Sequence, residues 1–494
     1  MNTSPAPNAI SCAISSALAI ALVAWLGAAH AQLVDTPPPP AAPRPFSITA
    51  PTEQRLPNGL RVVLAQRSGV QLVTARLVVL SGSEADPPQR AGLAALTAGL
   101  LTKGTRQRSA SAQAREAESI GGSLDSSADW DESELAITVA APNLDAALGL
   151  LSDAALHPTF APAELDRLRA QVLDGLKVAY TQPGTLASLA AERLLYGNSP
   201  YGHPAGGTPA SLARITRSDL VALHAERYRP DNAALVLAGD VDMATAMQLA
   251  ARHFGRWRAP AQPLVTTTAA AASRPGLPPK SAVIDLPQAG QASVVLMAPV
   301  PPLVADRAAG AVMNAVLGGG YSSRLNQEVR IKRGLSYGAS SALDNRRQGG
   351  AFLASVQTKN ESAAEVVALL QAELDRLIAT PVDAEELAAR KATLIGGFSR
   401  AVETTAGLGA VLRSLIVAGL PLDDIGRRID RLSAVNAADV QRLAAAHLGR
   451  SNRRIVVAGD AARFAPDLAA QLPGAVNVNS GALDLERADG LAAP

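Results

Sequence analysis

The feature that most constrains this chain is an internal repeat at an almost constant offset. Leu235-Val236-Leu237-Ala238-Gly239-Asp240 recurs 220 residues later as Ile455-Val456-Val457-Ala458-Gly459-Asp460, each a short apolar strand stopped by Gly-Asp. Asp219-Leu220 and Asp439-Val440, which open the helical segments feeding those strands, are also 220 apart. Glu164-Leu165 and Glu386-Leu387, near the starts of long helices after Pro162 and Pro381, are 222 apart. Three matched landmarks in one order mean that a single supersecondary plan is laid down twice. Residues 259–280, rich in Pro, Thr and Ala, have the composition of a linker between the copies. At 494 residues the chain exceeds one core of usual size, so two domains are expected, 47–258 and 281–475, followed by a tail, 476–494. Apolar patterning predicts strands at 60–65, 72–80 and 134–140, and helices at 90–101, 163–180 and 363–378. The class is α+β, two homologous arms with helices packed on one sheet face.

The amino terminus stands apart from this plan. Residues 10–28 are almost wholly apolar, and Ala29-His30-Ala31 before Gln32 has the small-x-small form of a signal-peptidase site, so 1–31 is read as a signal peptide. The alternative is a retained membrane anchor, because the apolar stretch approaches spanning length and the basic segment of a signal peptide is missing. Residues 32–46 form a proline-rich tether. The expected location is exported, in the periplasm, with no membrane association after cleavage. The one cysteine, Cys12, lies in the signal segment, so a cleaved chain has no disulfide, thiolate ligand or cysteine nucleophile. With 45 basic residues against 43 acidic ones there is no single-sign field, and nucleic acid is set aside as a partner.

Chemistry enters with Ala91-Gly92-Leu93-Ala94-Ala95-Leu96-Thr97-Ala98-Gly99-Leu100-Leu101-Thr102-Lys103-Gly104-Thr105. This segment resembles the active-site helix of the M16 (pitrilysin/insulinase-like) peptidases, in which a Gly-Leu-Ala frame leads into the inverted zinc motif His-x-x-Glu-His and Lys-Gly-Thr closes the segment. The frame is present and the motif is not. The resemblance places the metal-ligand positions on Ala95 and Gly99, the general-base position on Ala98, and the third ligand on Gly175, beside Asp174. Zinc needs lone pairs from imidazole, carboxylate or thiolate; Ala95, Ala98, Gly99 and Gly175 offer none, and a shift of one residue would bring only the lone carboxylate of Asp174, which makes no tight site. The other histidines outside the signal segment, His157, His203, His224, His253 and His447, include no pair one helical turn apart. No Gly-x-Ser-x-Gly elbow is present, and Gly318-Gly319-Gly320 lacks the Gly-Lys-Ser/Thr of a phosphate loop. This chain is therefore expected to bind no cofactor of its own.

The second arm carries Gly318-Gly319-Gly320-Tyr321-Ser322-Ser323-Arg324, continuing through Arg330 to Arg333-Gly334-Leu335-Ser336-Tyr337. This resembles the M16 carboxy-terminal motif, in which an arginine and a tyrosine seven residues later reach a zinc centre supplied by the other half. They match Arg330 and Tyr337. The bland alternative is a cation favouring a helix C-terminus and a tyrosine filling a strand face. Gly121-Gly122-Ser123-Leu124 is similar to the family's glycine-rich lead into a sheet edge that pairs with extended substrate, with Gly122 and Ser123 as candidate substrate contacts; an ordinary turn is the even alternative. The resemblance implies a clam-shell peptidase in which this chain is the non-zinc subunit, inactive alone. A partner M16 chain would bring zinc and the Glu base, the substrate would be an unfolded peptide, and Arg330 and Tyr337 would act in trans. A non-catalytic peptide-binding or scaffold protein is the rival reading.

Overall fold

The computed structural model describes residues 48–69, 71–264, 280–487 and 491. The segments read as signal peptide and tether, and most of that read as linker, lie outside them. Among the described residues no helix is long and apolar enough to cross a membrane.

Each arm is built on a six-stranded sheet. The first contains β1 (Thr52–Arg55), β2 (Arg61–Gln66), β3 (Leu72–Val79), β4 (Asp125–Ala128), β5 (Ser133–Ala140) and β6 (Ala233–Gly239), in the order β1-β2-β6-β3-β5-β4. The second contains β7 (Ser281–Asp285), β8 (Ala292–Val300), β9 (Ala339–Asp344), β10 (Gly350–Thr358), β11 (Arg454–Gly459) and β12 (Val476–Asn479), in the order β12-β7-β11-β8-β10-β9. In both, the Gly-Asp strand pairs parallel to one neighbour, β2 or β7, and antiparallel to the other, β3 or β8. The repeated Gly has a steric cause. A Cβ on Gly239 would lie 2.1 Å from the Leu72 carbonyl oxygen, and one on Gly459 would lie 2.9 Å from Ala292 Cα.

Five helices of the first arm matter here: α1 (Leu93–Leu101), α2 (Leu144–Leu156), α3 (Pro162–Ala179), α4 (Pro183–Tyr196) and α5 (Met243–Phe254). Five more belong to the second arm: α6 (Arg307–Leu317), α7 (Ala363–Ala379), α8 (Ala384–Ala401), α9 (Thr405–Val417) and α10 (Asp424–Ala434). Alternate residues of a strand point to opposite faces, and the central strands of both sheets are buried on both faces. Val62, Leu64, Leu235 and Leu237 enter one core with α1, α2 and α5, while Val63, Ala65, Ala234 and Val236 enter another with Leu408, Leu412, Leu415 and Ile416 of α9. In the second sheet Val294 and Leu296 pack with α6 and α7, and Val295 and Met297 pack with Leu186, Ala190 and Leu194 of α4. Each arm thus lends one helix, α4 or α9, to the far face of the other arm's sheet. The two arms share their cores reciprocally.

The hairpin tips meet where the arms join. Asp131, in the β4–β5 tip, accepts from the Arg347 backbone N–H at 2.6 Å and from the Tyr201 hydroxyl at 2.5 Å, and its carbonyl accepts from Arg347 Nη2 at 2.6 Å. Glu132 pairs with Arg413 of α9 at 2.5 Å. Arg346, in the β9–β10 tip, is enclosed by Trp130, Tyr196 and Tyr201, whose ring centroids lie 4.2, 4.6 and 5.1 Å from its Cζ.

Two local readings of the sequence differ from the structure. The helix expected from residue 90 begins at Leu93, because Gly92 takes φ 91°, and Pro88–Arg90 is a separate 3-10 turn. The segment read as a tail supplies edge strand β12, parallel to β7. It then returns to the first arm, where Glu486 pairs with Arg214 at 2.6 Å and accepts from the Thr208 hydroxyl, and Leu491 is fully buried.

Candidate functional site

The face of α1 that would carry a metal is held in place. Asp86 accepts from the backbone N–H groups of Gly92 at 2.9 Å and Ala94 at 2.8 Å, which satisfies free amides at the start of the helix. Ser126 of edge strand β4 donates to the Ala98 carbonyl at 2.7 Å and ties the helix to the sheet edge. Ala95 and Gly99 are one turn apart and half-buried, and Ala98 is fully buried. A Cβ on Gly99 would lie 3.1 Å from Leu168 Cδ2 of α3, so apolar packing fills the space a ligand side chain would need. Gly175, two turns further along α3, is exposed with nothing within 4 Å of its Cβ position. Its neighbour Asp174 pairs with Lys177 at 2.8 Å on the surface.

These positions present only carbon and hydrogen, and zinc does not fit them. Three of the histidines are engaged elsewhere. His203 is buried with Nε2 3.0 Å from the Ser83 carbonyl, His224 lies 2.8 Å from the Ala155 carbonyl and stacks on Tyr228, and His253 lies 2.7 Å from Asp145. Among the described residues no three His, Cys, Asp or Glu side chains gather around a point that could hold a metal ion.

Arg330 sits in a π-helical turn, Gln327–Ile331, where the Lys332 N–H reaches the Gln327 carbonyl. Such single turns recur at functional sites. Arg330 is half-buried, its guanidinium lies 4.9 Å from the Tyr321 ring centroid, and it pairs with no carboxylate among the described residues. Gly334, at φ 64°, reverses the chain, and the Leu335 carbonyl accepts from Thr358 at 2.7 Å, which fixes the approach to β9. Tyr337 follows with 91% of its side chain exposed; it does not fill a strand face. It borders a depression of about 320 Å³ lined by Gly184 and Ser188 of α4 and by Ser293, Ser355 and Gln357 of the second sheet. Both arms therefore build the wall beside Tyr337.

Gly122 and Ser123 precede edge strand β4, whose outer side pairs with no strand among the described residues. A Cβ on Gly122 would lie 2.9 Å from Val139 Cγ1, so close packing against β5 requires this glycine. Ser123 lies 3.4 Å from Asp125 Oδ1 and is exposed.

The buried acids around Asp131 were not singled out from the sequence. Burial pushes Glu84 up to about 7 and Asp86 well above the usual carboxylate range, with the Gly82 amide opposing the first and the Ala94 amide the second. Their only signal in the sequence is a pair of carboxylates, Glu84 and Asp86, directly ahead of an apolar helix.

A duplicated α+β fold whose first-arm helix lacks ligand side chains at the metal positions, with an Arg–Tyr segment on the second arm, defines a class, and the comparisons agree with it. Residues 61–208 match the Insulinase (Peptidase family M16) model, and residues 214–394 match the Peptidase M16 inactive domain model. The chain is similar to uncharacterized zinc proteases of Mycobacterium bovis and Mycobacterium tuberculosis, each 30% identical over 364 residues, covering 73% of this chain and 82% of the relative. A non-peptidase homolog of Helicobacter pylori is 24% identical, over 75% of this chain and 85% of its own length. A crystal structure of a peptidase M16 inactive domain from Pseudomonas fluorescens superposes with a TM-score of 0.77 at 27% identity, covering 83% of this chain and 98% of that one. A protease from Helicobacter pylori shares the fold, with a TM-score of 0.76 at 20% identity over 84% and 100% of the two chains. The chain belongs to the M16 peptidase family.

Proposed function

We propose that this chain is the non-zinc subunit of an exported, periplasmic heterodimeric M16 metallopeptidase that cleaves unfolded oligopeptides. The observation that carries the reading is the pairing of an α1 without metal-ligand side chains with an Arg–Tyr segment left open: Tyr337 is 91% exposed, and among the described residues no carboxylate pairs with Arg330. Amide hydrolysis builds negative charge on the carbonyl oxygen, and donors fixed beforehand stabilise it without later reorganisation. A guanidinium and a phenol are such donors. Removing one typically lowers turnover by about 10²–10³. The partner chain brings the zinc and the glutamate base, and the two chains close as a clam around the peptide. Edge strand β4, with Gly122 and Ser123 at its entrance, offers unpaired backbone to an extended peptide and so tolerates many sequences.

The rival, a non-catalytic peptide holder with this fold, draws on the same donor-free α1 and on the name of the Helicobacter pylori relative. The two separate experimentally. Purified mature chain is assayed for zinc and for peptide hydrolysis, alone and mixed with an M16 chain from the same genome that carries His-x-x-Glu-His. The mixture should cleave faster than the partner alone, and Arg330→Ala or Tyr337→Phe should remove the gain. Unchanged turnover in both variants would leave only the holding role.

A further inference from the structure

Arg307 is the first residue of α6, where the helix dipole disfavours a cation and favours an anion. It separates two cavities, of about 210 and 40 Å³, and Leu420 is the other residue that walls both. In the larger cavity Arg413 pairs with Glu132 and Arg346 with Asp344, while the Arg347 guanidinium donates to the carbonyls of Leu80, Asp131 and Val417. Arg307 has no such partner among the described residues. The smaller cavity holds a second cation in the same condition. Arg428 of α10 rests 5.3 Å from the Phe398 ring centroid, its Nε is buried without a hydrogen-bond partner, and Arg307 is near enough to repel it. The carboxylate in this cavity's wall, Asp424, whose charge also reaches Arg307, is held at both oxygens by Arg431, at 2.6 and 2.9 Å. The rest of the small cavity is apolar, with Val411, Leu415, Ile425 and Leu432 in its wall.

Two half-buried guanidinium groups that line one cavity, where the one carboxylate is already bound by a third arginine, are costly unless an anion joins them. We infer that Arg307 and Arg428 form a binding site for a carboxylate carrying a small branched apolar body, the chemistry shared by a peptide's C-terminal residue and a short free fatty acid. The carboxylate bridges the two arginines over the small cavity, which has room for little more than such a group, and the apolar body lies along Leu415 and Leu420. The site is on the second arm, beside α9, and is separate from Arg330 and Tyr337.

The test is thermal melting of the purified mature chain in N-acetyl-leucine, N-acetyl-leucinamide or 4-methylpentanoate. N-acetyl-leucine should raise the melting temperature in a saturable way, while the amide, which differs only in lacking the charge, should not. If 4-methylpentanoate acts at lower concentration, the source is a fatty acid; if N-acetyl-leucine is stronger, it is a peptide end. Arg307→Gln with Arg428→Gln should weaken the response by about tenfold or more, as loss of charged hydrogen bonds implies. The unliganded double variant should melt no lower than the parent, because a like-charge repulsion is gone. An equal response to the amide, a response unchanged in the variant, or a variant that melts far below the parent each overturns the proposal.

Discussion

Replacing Arg346 by Ala should loosen the joint between the arms more than any other single change at the hairpin tips. The side chain is 2% exposed, and three aromatic centroids lie within 5.1 Å of its Cζ. A desolvated cation over a ring is worth about 1–2 kcal/mol, and the three contacts share one guanidinium, so about 3 kcal/mol is a reasonable sum. The pair with Asp344 at 2.7 Å adds about 1 kcal/mol, since that carboxylate is 40% exposed and screened. Loss of the cation also leaves Glu192, 3.5 Å away, in a site where burial already raises its pKa. The expected destabilisation is about 3–5 kcal/mol, typical of removing one partner from a buried charged cluster. Arg346→Lys keeps the charge but loses the planar stack and the Nε hydrogen bond to Asp344, and should cost about half as much. Urea unfolding followed by tryptophan emission measures this directly, because Trp130 is one of the three rings. A loss below about 1 kcal/mol in Arg346→Ala, or equal losses for Ala and Lys, would refute the argument that the ring enclosure holds the tips together.

Burial raises Glu84 from 4.5 to about 7, so the folded chain keeps this proton to higher pH than the unfolded chain does. Its contribution is fully present below pH 4.5 and is lost as pH rises through 7, amounting to about 3 kcal/mol between the limits; Glu84→Gln should flatten the fall in stability measured between pH 5 and 8. Gly175→Glu should leave the melting temperature nearly unchanged because its Cβ position is open, whereas Ala98→Glu buries a charge at a fully enclosed site and should cost several kcal/mol. Leu412→Ala, in the helix lent to the first sheet, should cost about 2–5 kcal/mol; calorimetry should still show both arms melting in one transition, and a separate transition for either arm would contradict the shared cores.

Much of the architecture was legible because it was written twice. The strand ending Gly239-Asp240 and its copy ending Gly459-Asp460 have the same need for a glycine, since a neighbouring strand passes close to each, and steric demands of that kind survive in sequence. The absence of donor atoms at Ala95, Ala98 and Gly99 was equally plain, because zinc chemistry is a matter of residue type. The exchange of α4 and α9 was not legible. Periodicity marks an apolar face on a helix but does not say which sheet it covers, and Leu186 reaches Val295 and Met297 across more than 100 residues of chain. Val476–Asn479 was passed over for a local reason: four residues with one buried side chain make no pattern. Arg346 reads as an ordinary charged turn residue until Trp130, Tyr196 and Tyr201 are brought around it from far away in the chain.

The reciprocal loan of α4 and α9 sets the order in which this molecule can be completed. Residues 183–196 are synthesised before any strand of the sheet they cover exists, and the outer face of the first sheet stays bare until residues 405–417 have been made. A nascent first arm is therefore an unfinished object with two wet apolar surfaces, prone to stick to its neighbours. Cutting the gene at the linker would yield two fragments that each lack a wall of their own core, and they would be expected to become soluble together or not at all.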